Sequence, residues 1–267
     1  IRGYKVTGVQ TCALPICFEL MTQMQQQAER FGARIVYDTV ESVEFHAGGP
    51  HQIKLGNETL EAKAVIIATG AAPRWLNLPS EEKLKNRGVS SCATCDGAFF
   101  RDVPIVVVGG GDTALEEATY LTRFGSKVML VHRRHEFRAS KAMQERVFKT
   151  PKLEVIWDSV VEEVLGEDNV TGVRLKNIKT GAVTPVECSA LFVAIGHVPN
   201  TAAFQGQVEI DAEGYIVRTG HGSATSVEGV FVAGDCADHV YRQAITAAGM
   251  GCQAAIDAER WLASQQV

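Results

Sequence analysis

The segment of this 267-residue chain most able to do chemistry is Cys92-Ala93-Thr94-Cys95-Asp96. Two cysteines separated by two residues can close a disulfide, and that arrangement usually lowers the pKa of one thiol. Asp96 follows directly and, if partly buried, could serve as general acid–base for the thiols. Read alone, Asp96-Gly97 is also an ordinary turn pair. Seven cysteines occur, at 12, 17, 92, 95, 188, 236 and 252, without the regular spacing of a secreted disulfide framework. In a reducing compartment an isolated C-x-x-C is more often catalytic or metal-binding than a structural staple. Zinc would need a second Cys or His group at short spacing, and none occurs, so no metal site is expected. Cys188, Cys236 and Cys252 are expected to be buried small hydrophobes, and His197 and His239 receive no ligand role.

A second set of residues suits a dinucleotide. The apolar run Ile105–Val108 feeds into Gly109-Gly110-Gly111-Asp112-Thr113-Ala114, a G-x-G-x-x-A pattern. Gly109 permits a tight turn, Gly111 lets backbone N–H groups approach a pyrophosphate at a helix N-terminus, and Ala114 allows close packing of helix on strand. The motif is weak alone, but here it lies between a strand and a helical pattern. The next strand ends at His132-Arg133-Arg134, with Arg138 beyond it. A site for NAD would place an acidic residue there for the ribose 2′-hydroxyl. Guanidinium groups instead suit a 2′-phosphate, which points to NADPH.

These residues need a frame. Phe18–Arg30 is predicted as an amphipathic helix closed by Gly32, and Ala33–Tyr37 as a short strand. Val40–Phe45 and Gln52–Leu55 should form an antiparallel meander around Gly48-Gly49-Pro50. Ala64–Ala68 reads as a buried strand and Ala71–Asn86, with its prolines, as a connector. A new unit then begins, with a strand from Pro104, a helix over 112–124, a strand over Lys127–Val131, a helix over 139–149, an extended Leu153–Trp157, short strands within 160–187, and a buried Leu191–Ile195. After a loop-rich stretch come a strand at Val230–Ala233 and a helix over Tyr241–Leu262. Strands alternating with helices at this spacing imply a parallel, doubly wound α/β sheet. The chain leaves one unit, builds a second and returns to the first, so one domain is inserted in another.

The motifs, in this order, resemble those of the bacterial-type (low-molecular-weight) thioredoxin reductases. The matching runs are C-A-T-C-D-G-A-F-F, G-G-G-D-T-A, H-R-R-x-x-x-R, A-I-G-H-V-P-N-T, V-F-V-A-G-D and Y-R-Q-A-I-T-A-A-G, spread from about Phe18 to the C-terminus. The resemblance implies two Rossmann-like three-layer domains, the NADPH-binding domain inserted into the FAD-binding one. The expected boundaries are 17–73 and 202–267 for the FAD domain and 74–201 for the NADPH domain with its redox pair. It implies that electrons pass from NADPH through FAD to Cys92–Cys95 and on to thioredoxin, in a homodimer. It assigns Cys95 to the flavin side, Cys92 to attack on the thioredoxin disulfide, and Asp96 to proton donation. Asp235, after Gly234, would bind the ribityl chain, while Arg242-Gln243-Ala244 would approach the isoalloxazine ring at a helix N-terminus. Two domain orientations are expected to alternate, with hinges near Ala72–Trp75 and Asn200–Ala203.

Close alternatives are a flavoprotein reductase of a peroxiredoxin, disfavoured by Ala93-Thr94 and the arginines, and a ferredoxin-linked relative, disfavoured by the C-x-x-C. A different class is a non-catalytic NADPH-binding module. Val6–Ile16, V-T-G-V-Q-T-C-A-L-P-I, resembles the translated frame of a sequencing adapter, so residues 1–16 are expected to be an assembly artefact. No G-x-G-x-x-G/A precedes Ala64, so the first βαβ unit of the FAD domain is expected to be missing and FAD retention to be low. The net charge of −5 argues against nucleic acid, and no apolar run reaches the roughly 20 residues that span a bilayer. With no secretory h-region, the expected location is the cytoplasm.

Overall fold

The computed structural model describes residues 13–265. The chain opens with α1 (Ala13–Arg30), followed by the antiparallel sheet β1 (Val40–Glu44), β2 (His51–Leu55) and β3 (Glu58–Ala62). Next come β4 (Val65–Ile67), β5 (Ala71–Pro73), α2 (Pro79–Leu84), β6 (Val89–Ser90) and α3 (Ala93–Asp96). The nucleotide motif lies between β7 (Pro104–Val108) and α4 (Asp112–Leu121), ahead of β8 (Lys127–Val131), α5 (Lys141–Lys149) and β9 (Leu153–Ile156). A meander of β10 (Ser159–Leu165), β11 (Gly172–Asn177) and β12 (Val183–Glu187) leads to β13 (Ala190–Val193) and β14 (His197–Pro199). The chain ends with β15 (Val230–Val232) and the 21-residue α6 (Ala244–Ser264).

The inner half is a five-stranded parallel sheet in the order β6-β13-β7-β8-β9. Its central strands β13, β7 and β8 read as near-continuous apolar runs because both faces are covered. Ile105, Val107, Val128, Leu130 and Phe192 face α4 and α5, where they meet Leu115, Leu121 and Val147. The alternate residues Val106, Met129, Leu191 and Val193 face Leu84 of α2 and the β10–β12 meander. The third layer is thus a small β-sheet rather than helices.

The outer half pairs β4 in parallel with β15, a strand from the far end of the chain. Val230 and Val232 pack toward Val43, Ile67 and Phe204, whereas Phe231 turns to Ala254 and Ala258 of α6. The two halves are joined where β5 and β14 form an antiparallel ribbon, Ala72 opposite Val198. Thr69 and Asn200 reinforce the crossing: Thr69 Oγ1 donates to the Asn200 carbonyl at 2.7 Å, and Asn200 Nδ2 donates to the Thr69 carbonyl at 2.9 Å. Both expected hinge segments adjoin this ribbon.

The structure departs from the sequence reading in four places. Residues 1–12 of the adapter-like stretch lie outside the described residues, but Ala13–Ile16 belong to α1, which starts earlier than Phe18. Pro15 is tolerated because the first turn of a helix demands no N–H. Ala33–Tyr37 forms no strand: among the described residues nothing pairs with it, and Tyr37 is 83% exposed. The connector 71–86 holds β5 and α2, the latter with Pro79 in its first turn and Glu81 accepting from the Leu76 and Asn77 amides at 2.9 and 2.8 Å. Cys188 and Cys236 are buried as expected, whereas Cys252 is exposed on α6.

Candidate active site

The redox pair sits where the inner sheet meets its first helix. From β6 the chain passes through Cys92, whose extended backbone caps α3, so that the Cys95 N–H donates to Cys92 Sγ at 3.2 Å. Cys92 and Cys95 are joined in a disulfide with a Cα–Cα separation of 5.3 Å. Asp96, weighed above as a plain turn former, makes no side-chain cap to the following 3-10 turn. Its carboxylate instead accepts from Ser90 Oγ at 2.7 Å.

Residues from the outer half close over this disulfide. Gln243 Nε2 lies 4.0 Å from Cys92 Sγ and 3.4 Å from Thr94 Oγ1, while its Oε1 lies 4.0 Å from Cys95 Sγ. The loop before α6 is shaped by Asp238, which accepts from the Val240 and Tyr241 amides at 2.9 Å and from that of Arg242 at 3.2 Å. Burial opposes ionisation of Asp238, yet these donors and the Arg242 guanidinium hold it below the usual carboxylate range. The turn leaves Arg242 in the left-handed region, φ 46°, and its guanidinium reaches the His239 carbonyl and Tyr215.

Beside Gln243, a cleft opens at the carboxyl ends of β4 and β15, lined by Gly70, Gly234, Asp235, Ala244 and Ala247. This is where doubly wound sheets receive ligands. Asp235 is half-buried, and its Oδ1 has no hydrogen-bond partner among the described residues. Burial and the neighbouring Asp238 raise its pKa, with Arg242 opposing. An orphaned acceptor at the floor of an open cleft fits a ligand hydroxyl.

The nucleotide loop gives each glycine a separate reason. A Cβ at Gly109 would meet Ala114 Cβ at 2.4 Å and the Ala194 carbonyl oxygen at 2.5 Å, so the close helix–strand approach excludes a side chain. One at Gly110 would lie 2.1 Å from the His132 ring, whereas one at Gly111 would meet nothing within 4 Å. Gly111 therefore faces open space at the start of α4, where a phosphate could approach the backbone. Asp112 is held by the Ser140 amide and hydroxyl at 3.0 and 2.7 Å, which lower its pKa, and Thr113 is exposed beside it.

The proposed phosphate clamp divides in two. Arg133, Arg134 and Arg138 are exposed and form no ion pair among the described residues. The Arg138 amide donates to the Gly110 carbonyl at 2.9 Å, tying this basic loop to the fingerprint. His132 does not join the exposed group. It is buried beneath Gly110, its ring tilted against Phe137 and edge-on to Trp157, with Nε2 3.0 Å from the Glu136 carbonyl and a pKa lowered by burial.

Two further groups were not singled out from sequence, and a third, His197, was given no ligand role. Ser90 supports Asp96, and its place two residues before the pair was the only signal. Glu117 lies against α3, bonded to the Ala93 amide, with Oε2 unpartnered among the described residues. Burial, and to a lesser extent Glu116, push it up to about 7 despite Arg242 and that amide. Only the orientation of α4 separates it from Glu116, so sequence could not. His197 Nδ1 is likewise buried without a partner, and burial and Arg242 lower its pKa. Among the described residues no group of His, Cys, Asp or Glu is placed to hold a metal.

A family profile described as pyridine nucleotide-disulphide oxidoreductase matches residues 9–251. A thioredoxin reductase of Streptomyces coelicolor is 52% identical over 250 residues, covering 92% of this chain and 76% of its own. The structure of thioredoxin reductase from Giardia duodenalis, 48% identical, superposes with a TM-score of 0.87 over 92% of this chain and 81% of that one. The Lactococcus lactis thioredoxin reductase in its FR conformation, 40% identical and with the same two coverages, gives 0.59.

Proposed function

The chain belongs to the pyridine nucleotide-disulphide oxidoreductase family, among the bacterial-type thioredoxin reductases, and from that premise we propose which of its residues carry each task. The activity is that of a thioredoxin-disulfide reductase, an NADPH-dependent flavoprotein oxidoreductase. Bound FAD supplies two-electron transfer between the pyridine nucleotide and the disulfide. The Asp235 carboxylate, after Gly234, would take a hydroxyl of its sugar chain, and Arg242, Gln243 and Ala244 at the start of α6 would approach its ring. Gly109 and Gly111, with Asp112 and Thr113 opening α4, cradle the NADPH pyrophosphate. Arg133, Arg134 and Arg138 clamp its 2′-phosphate, while His132 backs the loop from within. The proposed domain limits are 17–73 with 202–267, and 74–201.

The net reaction consumes NADPH and a proton and converts a thioredoxin disulfide to its dithiol. On this chain, the S–S bond of Cys92–Cys95 breaks as two electrons arrive and two protons are taken up. Cys92, having passed its proton to Asp96, then attacks one sulfur of the thioredoxin disulfide as a thiolate; that S–S bond breaks, thioredoxin's other sulfur leaves as a thiolate that takes up a proton, and a mixed disulfide through Cys92 results. Cys95 attacks Cys92 Sγ, closes the intramolecular bond and releases the partner's second sulfur, to which protonated Asp96 can pass a proton. We place the enzyme in the cytoplasm as a homodimer; no helix among the described residues is long and apolar enough to cross a membrane.

One observation carries this reading: the disulfide lies against Gln243, at the mouth of the Asp235 cleft. The test is NADPH-dependent thioredoxin reduction by flavin-loaded enzyme. Cys92→Ser and Cys95→Ser should each abolish turnover, and Cys95→Ser should accumulate a mixed disulfide with thioredoxin through Cys92. Turnover that survives loss of Cys92 would refute the assignment.

A further inference from the structure

We propose that Ser90 is a positioning residue of the dithiol–disulfide chemistry, holding the Asp96 carboxylate and the Cys92 backbone in one fixed register. The inference rests on the reading of Asp96 as the acid–base group. Ser90 ends β6, is 7% exposed, and sits opposite Phe192 in the sheet ladder. Phe192 is fully buried and meets Phe100 edge-on, so the serine hangs from a rigid part of the core. Asp96, by contrast, belongs to a helix of four residues that has little rigidity of its own.

The hydroxyl makes two bonds, the first with a forced direction and the second set by the charge on Asp96. The Cys92 amide can only donate, and it does so to Ser90 Oγ at 3.1 Å. The serine proton is then available to Asp96 Oδ2 at 2.7 Å, an acceptor when the carboxyl is ionised. One side chain thus fixes both the backbone of the proposed attacking cysteine and the group that exchanges its proton. Because Ser90 neither gains nor loses a proton overall, it can keep this register while the S–S bond opens and recloses. Holding an acid–base group within reach is the kind of constraint that turns a random proton encounter into a directed one.

The test is a double-mutant cycle on the flavin-loaded enzyme. Ser90→Ala should lower kcat for thioredoxin reduction by about tenfold, the scale of one lost hydrogen bond to a charged group. KM for thioredoxin and the rate of flavin reduction by NADPH should stay within twofold, since neither needs Asp96. Ser90→Thr, which retains the hydroxyl, should recover most of the loss. On an Asp96→Asn background, Ser90→Ala should add less than twofold, because its effect passes through the carboxylate. If Asp96→Asn is impaired but Ser90→Ala is not, or if the two losses multiply, the role of Ser90 is overturned and that of Asp96 stands. If Asp96→Asn is fully active, the reading of Asp96 falls and the inference falls with it. A drop in flavin reduction or thermal stability parallel to the kcat loss would mark Ser90 as structural and would also overturn it.

Discussion

The two halves of the molecule each contain parallel strand pairing but assemble it differently. In the inner half, strands β6 to β13 come from one contiguous stretch, and every central strand is covered on both faces. In the outer half, the parallel contact joins β4 to β15, strands separated by the whole inner half, and Ile66 of β4 remains 40% exposed. The proposed functional groups follow the same division. The inner half carries the disulfide, Asp96 and the arginines on a two-sided core, whereas Asp235 and Gln243 stand on a core that long-range pairing must assemble. Such pairing incurs loop-closure entropy before it returns any contact.

A matched pair of truncations tests this contrast most strongly. Phe192→Ala removes a fully buried ring from the centre of the inner sheet and should cost about 4 kcal/mol. Ile66→Ala removes a side chain that is already 40% exposed and should cost about 1 kcal/mol or less. Urea unfolding of both variants against the parent would measure the difference, and equal losses would break the comparison.

The inner core also contains a group that opposes it. Glu117 ordinarily titrates at 4.5, and burial in the fold moves it to about 7. Between these values the folded state holds more protons than the unfolded state, so stability falls as pH rises through 4.5 to 7 and stays reduced above. The penalty is on the order of 3 kcal/mol at pH 8. Glu117→Gln should therefore raise Tm at pH 8, have little effect at pH 4, and flatten the intervening slope. Asp235, also raised by burial, is present in both proteins, so their difference isolates Glu117. An unchanged slope would place the carboxyl in water.

Legibility in the sequence followed the same boundary. β7, α4 and β8 were readable because a two-sided strand is a continuous apolar run and the glycine loop separates it from an amphipathic helix. Cys92 and Cys95 were readable because their chemistry is local to a few consecutive residues, and the arginines proposed for the 2′-phosphate were nominated from the same kind of local signal. Ala33–Tyr37 misled: Ile35, Val36 and Tyr37 have strand-forming side chains, but a strand also needs a partner, which no local pattern reports. α2 was hidden by prolines, one of which opens it. The interplay of Gln243 with the disulfide, 4.0 Å from each sulfur, depends on how the halves meet, which no motif encodes.

The arginines sharpen the inner-half side of the comparison at smaller scale. Replacing Arg134 by Ala should raise KM for NADPH about tenfold, the loss of one charge-assisted hydrogen bond, and leave the value for NADH unchanged. Arg133→Ala and Arg138→Ala should act in the same direction. Steady-state kinetics with both nucleotides decides it, and an equal loss for NADH would detach these residues from the 2′-phosphate.

The smallest effect concerns the seam between the halves. From the Giardia duodenalis to the Lactococcus lactis relative, identity falls only from 48% to 40%, yet the TM-score falls from 0.87 to 0.59 at equal coverage. If the hinges expected near Ala72–Trp75 and Asn200–Ala203 operate, they would pivot on the β5–β14 ribbon with its Thr69–Asn200 bonds, the narrow crossing between two separate cores. In the orientation seen in this chain, Gln243 bonds to Thr94 at 3.4 Å across the seam, a weak contact between exposed groups. Gln243→Ala should weaken that orientation by less than about 1 kcal/mol, a few-fold change in population. Pairs of fluorophores placed on α5 and α6 of the flavin-loaded protein would report it as a shift in mean transfer efficiency. Arg242 is the comparison: its guanidinium hydrogen-bonds within its own half, but its charge also acts on Glu117 across the seam. A larger shift from Arg242→Ala than from Gln243→Ala would move the restraint from the glutamine to the charge facing Glu117 and His197, and the seam would then be electrostatic.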